Sequence, residues 1–234
     1  MGLRRIERVS SGLNAAQKQG LQEELQYYDV SASPYHRVKR ILDILIAGAA
    51  TLVLLIPMAL LLLLVYIDDP GKVIFTQNRV GKDGKLFPIY KVRTMVAGTP
   101  ENLSAAEFRD ANKYVSRMGG FLRKTSLDEL PQLINVLKGD MSIIGPRPLI
   151  AEESRIHELR KRYGVYQTRP GITGLAQING RNNLSTTQKV RWEVKYLQNF
   201  SFKTDLKILL ATVPKILCGA DVMKDFNRKP KDGE

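Results

Sequence analysis

The residues with the most obvious chemical capacity in this chain of 234 residues are an adjacent carboxylate pair, Asp128 and Glu129, within the stretch KTSLDELPQL. Such a pair has two quite different uses. At a helix start it complements the macrodipole, and Ser126 with Glu129 three residues later matches a capping box. Pro131 argues against that register. With Ser126 as N-cap, its missing N–H falls where the helix already needs a donor to the Leu127 carbonyl. Moving the N-cap to Asp128 places Pro131 in the free first turn, but dissolves the box and leaves Glu129 without a structural task. The other use is chemical: a carboxylate can act as nucleophile or base, or offer oxygen to a hard cation.

Four arginines accompany the pair where the backbone is stiffened or close by. Arg147 lies between Pro146 and Pro148, Arg169 precedes Pro170–Gly171, Arg181 follows Gly180, and Arg123 stands five residues before Asp128. Solvated surface positions are the ordinary fate of arginine. Guanidinium forks on rigid turns are also what a phosphate site needs, since little freedom is lost on binding. Lys and Arg total 36 against 23 Asp and Glu, a formal charge of +13. That excess implies a polyanionic partner: nucleic acid, an acidic membrane surface or a phosphorylated substrate. Aromatic residues are only 7% of the chain, which disfavours nucleic acid, because basic residues interleaved with aromatics would be expected there. Cys218 is the single cysteine, so an intrachain disulfide is excluded, and a small buried side chain in a reducing compartment is expected. His36 and His157 lie in unrelated segments and read as surface residues.

The elements that must position these groups follow from hydropathy and punctuation. Residues 1–36 form a polar extension, with a short helix expected around NAAQKQGLQEELQYY and a linker at SASP. The run from Ile41 to Ile67 would measure ~40 Å as one helix, longer than the ~30 Å hydrocarbon core of a bilayer. Basic residues flank both ends, HRVKR before it and Lys72, Arg79, Lys82 and Lys85 after it, which conflicts with a simple span. A break at Ile56–Pro57, returning the chain to the side it entered from, reconciles both observations. Next, KVIFTQNRVGKDGKLFPIYKVRTM predicts two short strands around a Gly-Lys-Asp-Gly turn. ENLSAAEFRDANKYVSR reads as weak helix or loop. Beyond the pair, Leu130, Leu133, Ile134 and Leu137 form an apolar stripe ending at Gly139. MSIIGPRP is a short extended piece entering a proline-fixed turn, and TRPGITGLAQINGRN is turn-rich. Helices are expected over 151–163, 185–199 and 203–217.

Several of these stretches together resemble the bacterial sugar transferase family, the monotopic polyprenyl-phosphate phosphoglycosyl transferases. They are KRILDIL, VIFTQNRVG, YKVRTM, TSLDELPQLINVLKGDMSIIGPRP and RPGITGLAQINGRN, in the family's order, within residues 37 to 222. The resemblance implies an α+β fold, mainly helical with a short β-hairpin, in which an N-terminal re-entrant membrane helix (37–68) packs on a small cytoplasmic catalytic domain (69–222), followed by a polar tail (223–234). It implies transfer of a sugar 1-phosphate from a UDP-sugar to a polyprenyl phosphate at the inner membrane, with both termini cytoplasmic and no nucleic acid. It also implies Asp128 as nucleophile, Glu129 assisting it or the metal, Mg2+ held by this pair, and the arginines on substrate phosphate. The family often has Ser-Pro at the helix break. Ile56–Pro57 lacks that hydroxyl, so Thr51 or a bound water is expected to serve the carbonyl freed near Val53. A metal-dependent phosphodiesterase is the competing reading, distinguished by hydrolysis without a lipid acceptor.

Overall fold

The structure, a computed structural model, describes residues 25–99, 114–180 and 184–218, with side chains to residue 214. The expected helix in the N-terminal extension lies mostly outside the described residues, as do positions 100–113, Arg181, the Cys218 side chain and the tail. The apolar run folds as one helix, α1 (Tyr35–Asp68), of 34 residues. The expected break at Ile56–Pro57 does not divide it, because Pro57 lies inside the helix. Proline forfeits one bond, to Val53, while the turns around it still satisfy their own backbone groups. Thr51 does not fill that role, since its hydroxyl donates to the Ala47 carbonyl at 2.7 Å.

One stripe of α1 faces the rest of the protein: Lys39, Asp43, Ala47, Ala50, Leu54, Met58, Leu61 and Val65. Their spacing of three or four residues is the helical period. As far as Leu54 the apolar members pack on the main core. From Met58 onward they pack on a smaller cluster of Val65, Val92 and Leu122. The changeover falls at Pro57. The opposite side leaves Leu52, Val53 and Ile56 more than 70% exposed, at 77, 76 and 71%.

The expected hairpin forms from β1 (Ile74–Val80) and β2 (Leu86–Val92), paired antiparallel from Ile74↔Val92 to Val80↔Leu86. Its turn uses left-handed Asp83 and Gly84. Helix α2 (Arg117–Thr125) and helix α3 (Gln132–Lys138) flank the carboxylate pair. Strand β3 (Ser142–Ile144) then pairs in parallel with β4 (Gly171–Thr173), which sets the two proline-glycine motifs side by side. Helix α4 (Ser154–Arg162), the single turn α5 (Leu175–Ile178), α6 (Thr186–Gln198) and α7 (Phe202–Cys218) complete the described residues. The fold is mostly helical, with two small sheets and a long apolar helix near the N-terminus.

The apolar stripe expected on α3 is corrected. Ile134 and Leu137 are 48 and 36% exposed, whereas Gln132, Leu133, Asn135 and Val136 are buried. Asn135 decides the orientation. Its side-chain carbonyl accepts from Tyr90 N at 3.0 Å, and its amide donates to Pro88 O at 2.7 Å. Pinning β2 through a buried amide outweighs hiding two aliphatic side chains.

Candidate active site

Neither expected capping register is adopted around the carboxylates. Ser126 ends α2 in a left-handed conformation, φ 58°, and α3 takes Pro131 as its N-cap. Asp128 and Glu129 therefore occupy a separate 3-10 turn, Leu127–Glu129, between the two helices. A left-handed serine costs about 1 kcal/mol or more relative to glycine. The surrounding fold imposes this conformation and so fixes where the turn points.

Glu129 is buried at 8% exposure and faces two cations. Lys91 Nζ lies 2.9 Å from its Oε1, and an Arg147 terminal nitrogen lies 3.6 Å from the same oxygen. Lys91 arrives from β2, within the YKVRTM stretch. The same stretch sends Arg93 to Asp69, at the end of α1, and Thr94 to Arg123, whose Nε donates to its hydroxyl at 2.8 Å. Burial pushes the Arg123 guanidinium below its ordinary range, and the negative charge of Asp128 opposes that shift. Arg123 thus stands on the Asp128 side of the pair, while Lys91 and Arg147 stand on the Glu129 side.

Arg79, from β1, joins them. Burial lowers its pKa first and the neighbouring Arg147 charge lowers it further, with Glu153, Glu129 and Glu152 opposing. Arg79 and Arg147 line two adjoining hollows. The smaller, about 20 Å³, also contains Glu129, Lys91 and Gln132. The larger, about 160 Å³, contains Glu153, Gln177 and Lys189. Among the described residues, Arg79 Nε and Gln132 Nε2 are buried without a hydrogen-bond acceptor. Buried donors left in this state beside like-charged guanidiniums suit an incoming anion.

The Arg147 backbone is held from beneath as well as by its prolines. Arg160 donates to the Arg147 carbonyl at 2.9 Å while pairing with Glu193, its Nε 2.8 Å from Oε2, and both side chains are buried. Gly171 N donates to Pro146 O at 2.8 Å, and a Cβ on Gly145 would lie 2.3 Å from the Arg169 carbonyl. Only glycine allows the two strands to approach so closely. Arg169 itself is directed elsewhere: its Nε donates to Gly139 O at 2.8 Å, and it lines neither hollow. Arg181 lies outside the described residues. Of the expected arginines, the fold brings Arg123 and Arg147 to the pair and turns Arg169 to the end of α3. Lys91, Arg79, Gln132, Arg160 and Glu193 are additions, since isolated polar residues in strands and helices carry no local signal.

Among the described residues no group of three metal-ligating side chains converges. Magnesium does not need one, because one or two carboxylates plus substrate phosphates commonly hold it. Asp128 and Glu129 fit that pattern.

An apolar helix docked on a small domain, with a carboxylate pair flanked by half-buried cations, suits chemistry on phosphate groups beside a membrane. The chain belongs to the bacterial sugar transferase family, whose sequence profile matches residues 34–219. It is 38% identical over 193 residues to the exopolysaccharide production protein ExoY of Sinorhizobium fredii, covering 76% of this chain and 84% of that protein. It is 40% identical over 187 residues to a UDP-glucose:undecaprenyl-phosphate glucose-1-phosphate transferase of Caulobacter vibrioides, covering 76 and 69%. An undecaprenyl-phosphate galactose phosphotransferase of Salmonella typhimurium is 38% identical over 194 residues. That match covers 77% of this chain but 40% of the Salmonella protein, so the chain spans well under half of some relatives.

Proposed function

We propose that the protein transfers a sugar 1-phosphate from a UDP-sugar to polyprenyl phosphate at the cytoplasmic face of the membrane, releasing UMP. The observation that carries this reading is the enclosure of Glu129 by Lys91 and Arg147, beside Asp128 and under buried, unpaired donors. Relatives whose names specify glucose and galactose phosphate transfer to undecaprenyl phosphate support it.

In this reading an Asp128 oxygen attacks the β-phosphorus and the bridging P–O bond to the α-phosphate breaks, so that UMP leaves. The resulting acyl phosphate keeps the phosphoryl group activated. A polyprenyl phosphate oxygen then attacks the same phosphorus and the Asp128 carboxylate departs. The sugar C1–O bond stays intact throughout. Arg147 and Arg79 hold the phosphoryl oxygens and stabilise charge developing on them. Lys91 and Arg147 hold the Glu129 carboxylate fixed beside the nucleophile. Magnesium, held by the Asp128–Glu129 pair when bound, offsets the charge of the diphosphate.

The membrane part of the reading is a one-sided, re-entrant seat for α1. Its support is that both ends of the helix are tied to the same domain. Lys39 Nζ lies 2.6 Å from Asp205 Oδ2, and Ser142 Oγ donates to Asp43 Oδ1 at 3.0 Å. At the other end, Asp68 accepts from Met118 N at 3.2 Å and Asp69 from Ala97 N at 2.5 Å. Purified protein given undecaprenyl phosphate, magnesium and a panel of UDP-sugars should release UMP catalytically only when acceptor and the matching donor are both present. Steady hydrolysis without the acceptor would replace the transferase reading with a phosphodiesterase.

A further inference from the structure

The larger hollow holds an unusual side chain. Gln177 lines it, and both its Oε1 and Nε2 are buried without a partner among the described residues. Burying an amide with neither hydrogen bond made costs stability, so such groups call for an explanation. Backbone space explains where the amide lies. Gln177 Oε1 comes within 2.8 Å of where a Gly174 Cβ would be, so glycine makes room for the side chain to curl back over its own turn.

Position within the site then indicates what the amide meets. Arg79 and Arg147 line both hollows and so stand between Glu129 and Gln177. In phosphoryl transfer the attacking and leaving oxygens lie roughly in line through phosphorus. With phosphate on the two arginines and the nucleophile on the dyad side, the leaving group departs toward the larger hollow, while the sugar oxygen lies to the side. The leaving group of the proposed reaction is a uridine nucleotide. Uracil carries an N3–H donor beside a carbonyl acceptor, an edge that matches one primary amide in a paired hydrogen bond. Of the cavity's other polar lining, Arg160 and Glu193 pair with each other, while Glu153 and Lys189 suit ribose hydroxyls and phosphate. We propose that this 160 Å³ hollow is the nucleoside subsite and that Gln177 reads the uracil edge. The proposal rests on the UDP-sugar reading above.

The test is product inhibition of the full-length enzyme by UMP and by N3-methyl-UMP, which keeps the phosphate and ribose but lacks the N3–H. Wild type should bind UMP roughly tenfold to a hundredfold more tightly than the methylated analogue, the worth of two hydrogen bonds made in a buried site. Gln177→Met should abolish that preference by weakening UMP alone. Its melting temperature should stay level or rise, because the amide bonds nothing in the free protein. A merely structural glutamine would lower the melting temperature and leave the preference intact, and that result would overturn the assignment. So would unchanged UMP inhibition combined with an altered ratio of UDP-glucose to UDP-galactose turnover, which would make the hollow the sugar subsite. Wild-type enzyme that releases no UMP would instead sink the transferase reading, independently of Gln177.

Discussion

At the scale of single residues, the two carboxylates have different surroundings and should fail differently. Asp128→Asn removes the proposed nucleophile and should abolish turnover while leaving the melting temperature nearly unchanged. Wild-type protein mixed with the matching UDP-sugar alone should carry the mass of a sugar phosphate on the peptide containing Asp128. Absence of that adduct, with kinetics requiring a ternary complex, would leave Asp128 as a base or metal ligand. The arginines separate in the same way. Arg147 faces Glu129 and both hollows, so Arg147→Lys loses a bidentate fork that a point charge cannot replace. Losing one charge-assisted contact costs ~1.5–3 kcal/mol, or about one to two decades in kcat/KM if the contact acts in the transition state. Arg169 instead donates to Gly139 O. Arg169→Lys should lower the melting temperature and leave kcat/KM within a few-fold of wild type. Equal kinetic damage from both substitutions would show that Arg169 also meets substrate.

At the scale of elements, the site depends on how closely α2 approaches the end of β2. A Cβ on Gly119 would lie 1.9 Å from Thr94 O, while one on Gly120 would meet nothing within 4 Å. Gly119→Ala must push the helix away from Thr94 and with it Arg123, one turn further along. A loss of ~1–3 kcal/mol in stability is expected, together with reduced activity. Gly120→Ala, in the same helix but facing open space, should be neutral or stabilising by up to ~1 kcal/mol. Denaturant titration of the two variants checks the contrast. These contacts also explain what the sequence could and could not reveal. The hairpin, α6 and α7 were legible because each has a period and punctuated ends. The carboxylate pair stands out because Pro131 spoils the capping box from Ser126, while a start at Asp128 leaves Glu129 without a structural task. The β3–β4 pairing was not legible, since strands of three residues have no period to read. The buried face of α3 is not the one its apolar spacing predicts, because one amide, Asn135, sets it over two aliphatic side chains. Arg169 and Arg147 looked equivalent beside their prolines, and only the tertiary fold sends one to the dyad and the other to a helix end.

At the scale of the whole molecule, the question is how a chain of formal charge +13 would sit on a bilayer through one apolar helix, as proposed above. The KRILDIL stretch supplies much of the answer. Lys39 pairs with Asp205, Arg40 donates to the carbonyls of Val136 and Leu137, and Asp43 accepts from Ser142 and Ile143. At the far end of the helix, Asp68 and Asp69 are bound to the same domain. A transmembrane helix would place ~30 Å of hydrocarbon between its two ends. One set of these contacts would then have to break, and removing one partner of a buried ion pair such as Lys39–Asp205 costs ~3–5 kcal/mol. A helix seated in one leaflet keeps both sets and still offers its apolar outer face to lipid. Single cysteines at Ser31→Cys, just before α1, and at Lys203→Cys, an exposed position of α7, report the outcome in a Cys218→Ala background. In spheroplasts both should resist a membrane-impermeant thiol reagent, and both should react once the membrane is opened. Labelling of the Ser31 position alone from outside would mean that α1 crosses the bilayer, and the contacts at one of its ends would then have to be absent in the membrane.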